Sequence, residues 1–331
     1  MLARRCSWVL LCSALALPAC QSDDDTDDEQ GPNNPSPSSW LVGDQGEMLR
    51  LTSDEGEVST YPLEIATDLT GIACMGQATA WVAGERGTVL VSHDAGEAWT
   101  TIDIGTTADL RSIAVSESLP GQETVWVTGD DGAALRTTDG GRTWNRVPGP
   151  ALDFSAVATQ ETGDIAFFTA LDGSVWRSAH GDPMTEALSP GDHALYDVAL
   201  SHHGDTVVVV GEAGHIWLSH DGGARFAALE AATALDLHAV HLAQDRETLV
   251  AVGEAGVVVR IDPSGARVQQ TLGPGQALYD LHLRADGLGQ AVGMGGVVLL
   301  TEDAGQQWRP VETGYSNDLW GVDDFHTTPH L

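Results

Sequence analysis

A sevenfold internal repeat constrains this chain more than any other feature. A glycine-led hairpin recurs at Gly43, Gly84, Gly129, Ala170, Gly211, Gly253 and Gly293, spaced by 40–45 residues, with Ala once in place of Gly. WVAGERGTVLVSHDAGEAWT (81–100) and VWVTGDDGAALRTTDGGRTW (125–144) are the plainest copies. A second ladder shares the period: DLTGI (68–72), DLRSI (109–113), DFSAV (153–157), ALYDV (194–198), DLHAV (236–240), ALYDL (277–281) and DLWGV (318–322). Each unit reads as four short strands. The first is the DLxxV run, the second ends at the first Gly of GxxG, the third starts at the second Gly, and the fourth starts at a Trp. The first Gly is expected to supply a turn with positive φ. Four antiparallel strands every 40–45 residues predict an all-β, seven-bladed propeller over residues 39–331. The chain opens on strands two to four of a unit and ends on a lone first strand, so those pieces are expected to close one blade between them.

The turn between strands three and four reads S/T-x-D-x-G-x-x-W. It stands as Ser92-Asp94-Gly96-Trp99, Thr137-Asp139-Gly141-Trp144 and Thr301-Asp303-Gly305-Trp308, with Phe226 replacing Trp after Ser219-Asp221-Gly223. This resembles the Asp-box, or bacterial neuraminidase repeat. The expected physics is local: the carboxylate accepts turn amide protons, Gly allows the bend and the aromatic packs over it.

The combined GxxG and Asp-box pattern, carried by residues 81–99 and 125–144, resembles the photosystem II stability and assembly factor family. That resemblance implies a seven-bladed propeller acting as a non-catalytic scaffold for membrane-protein assembly. Photosynthetic members use an Arg-rich patch; here the Arg are scattered among an excess of acids, so that role does not carry over. The rival reading is a carbohydrate-binding or sialidase-like propeller. A sialidase needs three Arg on a carboxylate, a Tyr activated by Glu and an acid/base Asp. The family's Arg-Ile-Pro motif is absent, and only Arg111 is basic within the DLxxV motifs. Ser92-His93-Asp94 cannot form a triad, because consecutive residues in one turn do not converge.

The N-terminus reads as an address. Arg4 and Arg5 precede an apolar run, Ser7–Leu17, too short to span a bilayer comfortably. Leu17-Pro18-Ala19-Cys20 resembles a bacterial lipobox. The expectation is a signal peptide over 1–19, then lipidated Cys20 and an acidic tether over 20–38. No Asp follows Cys20 directly, which favours the outer membrane, with periplasmic or surface exposure left open. Cys6 and Cys12 leave with the signal, so Cys74 stands alone and no intrachain disulfide framework is possible. Forty-eight acids face 15 Arg and no Lys, a formal charge of −33, which excludes a general nucleic-acid binder. The expected partner is an envelope protein, the expected state a monomer, and no cofactor is implied.

Three residue sets are candidates for binding. Hairpins between strands two and three carry Asp44, Glu85, Asp130, Asp131, Asp172, Glu212 and Glu254 on the face that usually holds propeller ligands. They read either as a ring for a basic partner or a cation, or as plain solvent turns. The third position of the inner-strand motif varies: Thr70, Arg111, Ser155, Tyr196, His238, Tyr279 and Trp320. It reads as a ligand-facing channel rim (Arg111, Tyr196, His238, Tyr279 and Trp320) or as filling of a tapering channel. At the sixth position, four Ala give way to His241, His282 and Asp323 in neighbouring blades. These suit a divalent metal if they converge, or are packed, hydrogen-bonded side chains.

Overall fold

The computed structural model describes residues 38–52, 57–116, 121–243, 245–270 and 276–325. The expected signal peptide, Cys20 and all of the tether but Ser38 lie outside these residues. Ser38 already belongs to the first strand and pairs with Thr52.

Among the described residues, twenty-eight strands form seven four-stranded antiparallel sheets. The chain enters on β1 (Ser38–Gly43), β2 (Met48–Thr52) and β3 (Glu57–Thr60). Blade 1 is β4 (Leu69–Met75), β5 (Thr79–Gly84), β6 (Thr88–Ser92) and β7 (Thr100–Thr101). Blade 2 is β8 (Leu110–Val115) to β11 (Asn145–Arg146), and blade 3 is β12 (Phe154–Thr159) to β15 (Thr185–Leu188). Blade 4 runs from β16 (Leu195–Leu200) to β19 (Ala227–Glu230), and blade 5 from β20 (Leu237–Leu242) to β23 (Gly265–Gln270). Blade 6 runs from β24 (Leu278–Leu283) to β27 (Arg309–Val311). The last strand, β28 (Leu319–Asp324), pairs with β1 in the order β28-β1-β2-β3 and completes blade 7. Three N-terminal strands and one C-terminal strand therefore close the ring. Where a S/T-x-D-x-G turn is present, the fourth strand begins one residue after the aromatic expected to start it, at Thr100, Asn145, Ala227 and Arg309.

Second strands are apolar on both faces because a neighbouring blade covers each side. Val207–Gly211 and Leu249–Gly253 are buried throughout. The core is thus a set of inter-blade seams, such as Trp81, Val89 and Val91 of blade 1 against Leu110, Ile113 and Val127 of blade 2.

The glycine ladder works differently from expectation. The first glycine is extended, with φ −164° at Gly84 and −176° at Gly253. It is needed because a Cβ there would collide with backbone: on Gly129 it would meet the Asp109 carbonyl of the inner strand's approach. Positive φ falls on the third and fourth residues of GxxG instead, as at Asp131 (56°) and Gly132 (69°).

Candidate functional site: the channel mouth

A bulge at one position shapes the mouth. In all seven blades the inner strand skips one residue of its register: Leu69 to Gly71, Leu110 to Ser112, Phe154 to Ala156, Leu195 to Asp197, Leu237 to Ala239, Leu278 to Asp280, and Leu319 to Gly321. The skipped residues are Thr70, Arg111, Ser155, Tyr196, His238, Tyr279 and Trp320. A bulge leaves its extra residue unpaired and re-aims it. The third-position variability therefore belongs to side chains freed from the ladder.

Those side chains form two unlike arcs. Through blades 1 and 3 they tie seams: Thr70 Oγ1 donates to the Leu110 carbonyl at 2.8 Å and Ser155 Oγ to Leu195 at 2.7 Å. Arg111 pairs with Asp130 of its own hairpin. Through blades 4 to 7 they form an aromatic row. Tyr196 meets His238 at 5.5 Å between ring centres, His238 meets Tyr279 at 5.7 Å, and Tyr279 stacks on Trp320 at 4.3 Å and 16°. All four are half-buried. Carboxylates orient the ends of the row. Trp320 Nε1 donates to Asp44 Oδ1 at 2.7 Å and Tyr196 Oη to Asp236 Oδ2 at 3.4 Å.

The acidic hairpins sit on this same face. Their third-residue amides are held by the Asp that opens the next inner-strand motif: Gln45 N–H by Asp68, Arg86 by Asp109, Asp131 by Asp153 and Ala213 by Asp236, at 2.8–3.0 Å. Gly295 N–H is held by Asp318 at 2.7 Å. Burial and neighbouring negative charge both act on the ionisable groups here. Burial, then Asp68, Asp109 and Asp44, push the Glu85 carboxyl up against the pull of Arg86. Burial, then Asp236, Glu212 and Glu254, push the Tyr196 phenol up to about 12. Glu212 and Glu254 also accept the amides of Ala194 and Asp236, at 3.2 and 3.4 Å. Asp172 differs: its Oδ1 accepts Ser174 N–H and Oγ–H within its own turn.

At the far end of the inner strands the expected metal trio is partly brought together. His282 Nδ1 lies 2.8 Å from Asp323 Oδ1, and the His241 ring stands edge-on to His282 at 5.7 Å. The sequence reading missed Asp324, whose Oδ1 takes His282 Nε2 at 3.1 Å, and Arg284, which lies 3.6 Å from Asp324. Burial alone would lower the His282 pKa; the charges and hydrogen bonds of Asp323 and Asp324 outweigh it and hold it well above the usual histidine range. Asp323 Oδ2 also accepts the Cys74 amide of blade 1 at 2.7 Å. The cluster locks blade 7 to both neighbours. Its three acid and imidazole groups, His282, Asp323 and Asp324, offer ligand atoms within 4.8 Å of one another, but both ring nitrogens of His282 are already engaged.

Asp197 and Asp280 were also missed. They are fourth in ALYDV and ALYDL, the two motif copies without a leading Asp. Each accepts an amide of the next blade, Val240 at 2.8 Å and Val322 at 2.9 Å. Enclosure by the ring pushes their carboxyls up to about 7 and about 8.

The four S/T-x-D-x-G turns share one geometry. In the first, Gly96 N–H donates to Ser92 Oγ at 2.9 Å and Ala98 N–H to Asp94 Oδ1 at 2.9 Å; Thr137/Asp139, Ser219/Asp221 and Thr301/Asp303 repeat it. Their carboxylates are turned into the turns. The aromatics serve the seams: Trp99 lies edge-to-face on Trp40 at 5.8 Å and Trp144 on Trp81 at 6.2 Å. Phe226 packs in the seam with Phe167, and Trp308 in the seam with Val250.

The fold and mouth define a seven-bladed β-propeller with an acidic face, half rimmed by aromatic side chains. This architecture is similar to that of photosystem II assembly factor propellers. Residues 52–152 match the family described as photosynthesis system II assembly factor YCF48. A 76-residue stretch is 33% identical to the photosystem II assembly lipoprotein Ycf48 of Synechococcus sp. (strain CC9902), covering 22% of this chain and 22% of that protein. Among solved structures, YCF48 bound to a D1 peptide aligns over 84% of this chain and 85% of its own, at 16% identity and TM-score 0.60. YCF48 from Cyanidioschyzon merolae aligns over 80% and 97%, at 17% identity and TM-score 0.61.

Proposed function

We propose that the protein is a non-catalytic protein-binding scaffold of the cell envelope, which docks a basic segment of a partner protein on its channel mouth. The observation that carries this is the coincidence on one face of the acidic hairpins and the row from Tyr196 to Trp320. Acids accelerate encounter with a basic chain, and half-buried aromatics supply contact area at low entropic cost. A propeller of the similar YCF48 type holding a D1 peptide supports peptide binding by this fold. The reversal of charge relative to an Arg-rich patch points to a partner of opposite sign. The sialidase-like alternative finds no arginine clamp among the seven bulge residues: Arg111 is the one arginine there, and Asp130 holds it. In this reading a signal peptide over 1–19 and lipid on Cys20 place the domain at the membrane, the tether over 20–38 gives it reach, and the outer membrane is its address.

An Arg-rich synthetic peptide, read by fluorescence anisotropy across salt concentration, tests the assignment. Neutralising Glu85, Asp131, Glu212 and Glu254 to their amides is expected to weaken binding mainly through on-rate and salt slope, and Trp320→Ala mainly through off-rate. Neutralising Asp164, Asp205 and Asp286, in turns at the opposite ends of the strands, is expected to leave it unchanged. Equal weakening by both sets would reduce the effect to net charge and overturn the assignment.

A further inference from the structure

The turns that follow the inner strands of blades 3 and 4 bring together three side chains that the mouth does not use. Glu161 follows β12; His202 and His203 follow β16. Glu161 Oε2 lies 2.8 Å from His202 Nε2, and the two imidazoles are 5.0 Å apart between ring centres, inclined at 58°. One ligand atom from each of the three lies within 4.8 Å of the others. We propose that Glu161, His202 and His203 form a binding site for one divalent transition-metal ion of the zinc class, clasping blades 3 and 4.

The distances favour this. Two imidazoles on one tetrahedral ion, with bonds of about 2.0–2.1 Å, hold their ring centres roughly 5 Å apart and their ligand atoms roughly 3.3 Å apart. The rings already have the first spacing. The second needs small rotations of side chains that are 23% exposed at His202 and 38% at Glu161, with His203 exposed. The donor set, two neutral imidazoles and one carboxylate, suits zinc, copper or nickel and is a poor match for calcium or magnesium, which take oxygen ligands. Solvent can complete the coordination because the site is open on the His203 side.

The backbone is set before any ion arrives. Glu161 N–H donates to the His202 carbonyl at 3.1 Å, joining the two turns, and Gly204 N–H donates to Ser201 at 2.7 Å. Ser201 Oγ donates to Asp205, whose other oxygen pairs with Arg246 at 2.7 Å. The group therefore has fixed Cα positions and adjustable tips. The cluster of His282, Asp323 and Asp324 is the competing place for a metal, but there carboxylates hold both ring nitrogens of His282 in a covered seam, whereas the tips of Glu161, His202 and His203 are open to solvent.

Calorimetric titration of the purified chain with zinc chloride, in physiological salt with excess magnesium to occupy loose acidic sites, tests the proposal. One zinc per chain is expected. His202→Ala and His203→Ala are each expected to weaken binding by roughly tenfold or more, and Glu161→Gln to weaken it less. Zinc should raise the melting temperature of the parent and leave that of the His202→Ala/His203→Ala double variant unmoved. These residues lie at the surface, and a matching circular dichroism spectrum confirms that the variant folds. Absence of stoichiometric zinc, or a double variant with the parent's affinity and thermal shift, overturns the proposal.

Discussion

Removing residues 318–331 deletes β28 and should open the ring. Leu319, Val322 and Phe325 are 0%, 3% and 6% exposed. Burying three such side chains is worth about 5–9 kcal/mol, as an upper figure. The neighbours they cover, including Leu41, Leu49 and Val292, lose comparable shelter. Against this, freeing the six residues of β28 returns roughly 1–2 kcal/mol each in chain entropy. The deletion also leaves the Cys74 amide without its Asp323 acceptor, about 1–3 kcal/mol for a covered donor. The net loss is on the order of 5 kcal/mol, most of the stability of a marginal domain at the low end of the 5–15 kcal/mol range. The expected outcome is a melting temperature lowered by well over 10 °C and association through the bared edges of β1 and blade 6, read by differential scanning fluorimetry and light scattering. A synthetic peptide covering residues 316–328, added in excess, should restore part of the loss by supplying the missing strand. A truncated chain that elutes as the parent does and melts within a few degrees of it would refute the reasoning.

Other consequences are equally direct. Asp197, Asp280 and His282 all titrate above their ordinary values, so the unfolded chain binds fewer protons at these sites between about pH 4 and 8. The stability they confer is therefore full at the acid end of that window and declines as pH rises through the folded-state values. The melting temperature should fall from pH 5 to pH 8, and Asp280→Asn should flatten the slope. Asp139 has the opposite sign: hydrogen bonds from the Thr143 hydroxyl and amide hold it at about 2, so its contribution is lost only in strong acid. Asp139→Ala removes the acceptor of both and should cost about 1–3 kcal/mol by chemical denaturation. Gly129→Ala drives a methyl into the Asp109 carbonyl and should destabilise more than Gly71→Ala, where the backbone is not left-handed and a Cβ meets its nearest neighbour at 3.6 Å.

Blade number, strand count and 3+1 closure were legible in the chain because a closed ring must repeat its seam contacts, and a contact that recurs in space recurs in sequence. The leading Asp of DLxxV was visible as a pattern, but its grip on the previous blade's hairpin is a contact across two units. The sixth-position comparison picked out His282 and Asp323, which the fold sets side by side on equivalent rungs of adjacent blades. Asp280 escapes a comparison limited to the third and sixth positions of the motif, and the bulge sets the fourth on its own course. The conformation of the first glycine was misjudged for a related reason: its restriction comes from a carbonyl of another strand, not from its own turn.

Closure also sets an order in time. The Asp44–Trp320 contact joins residues separated by 276 positions. A chain synthesised from its N-terminus presents β1 well before β28, its partner strand. During that interval β1 has a neighbour on one side and an open ladder on the other. Six blades can stack before the ring seals, but the seal waits for the final residues to arrive. Folding during synthesis therefore passes through an edge-exposed intermediate, and its yield should depend on whatever shields that edge until the last strand arrives.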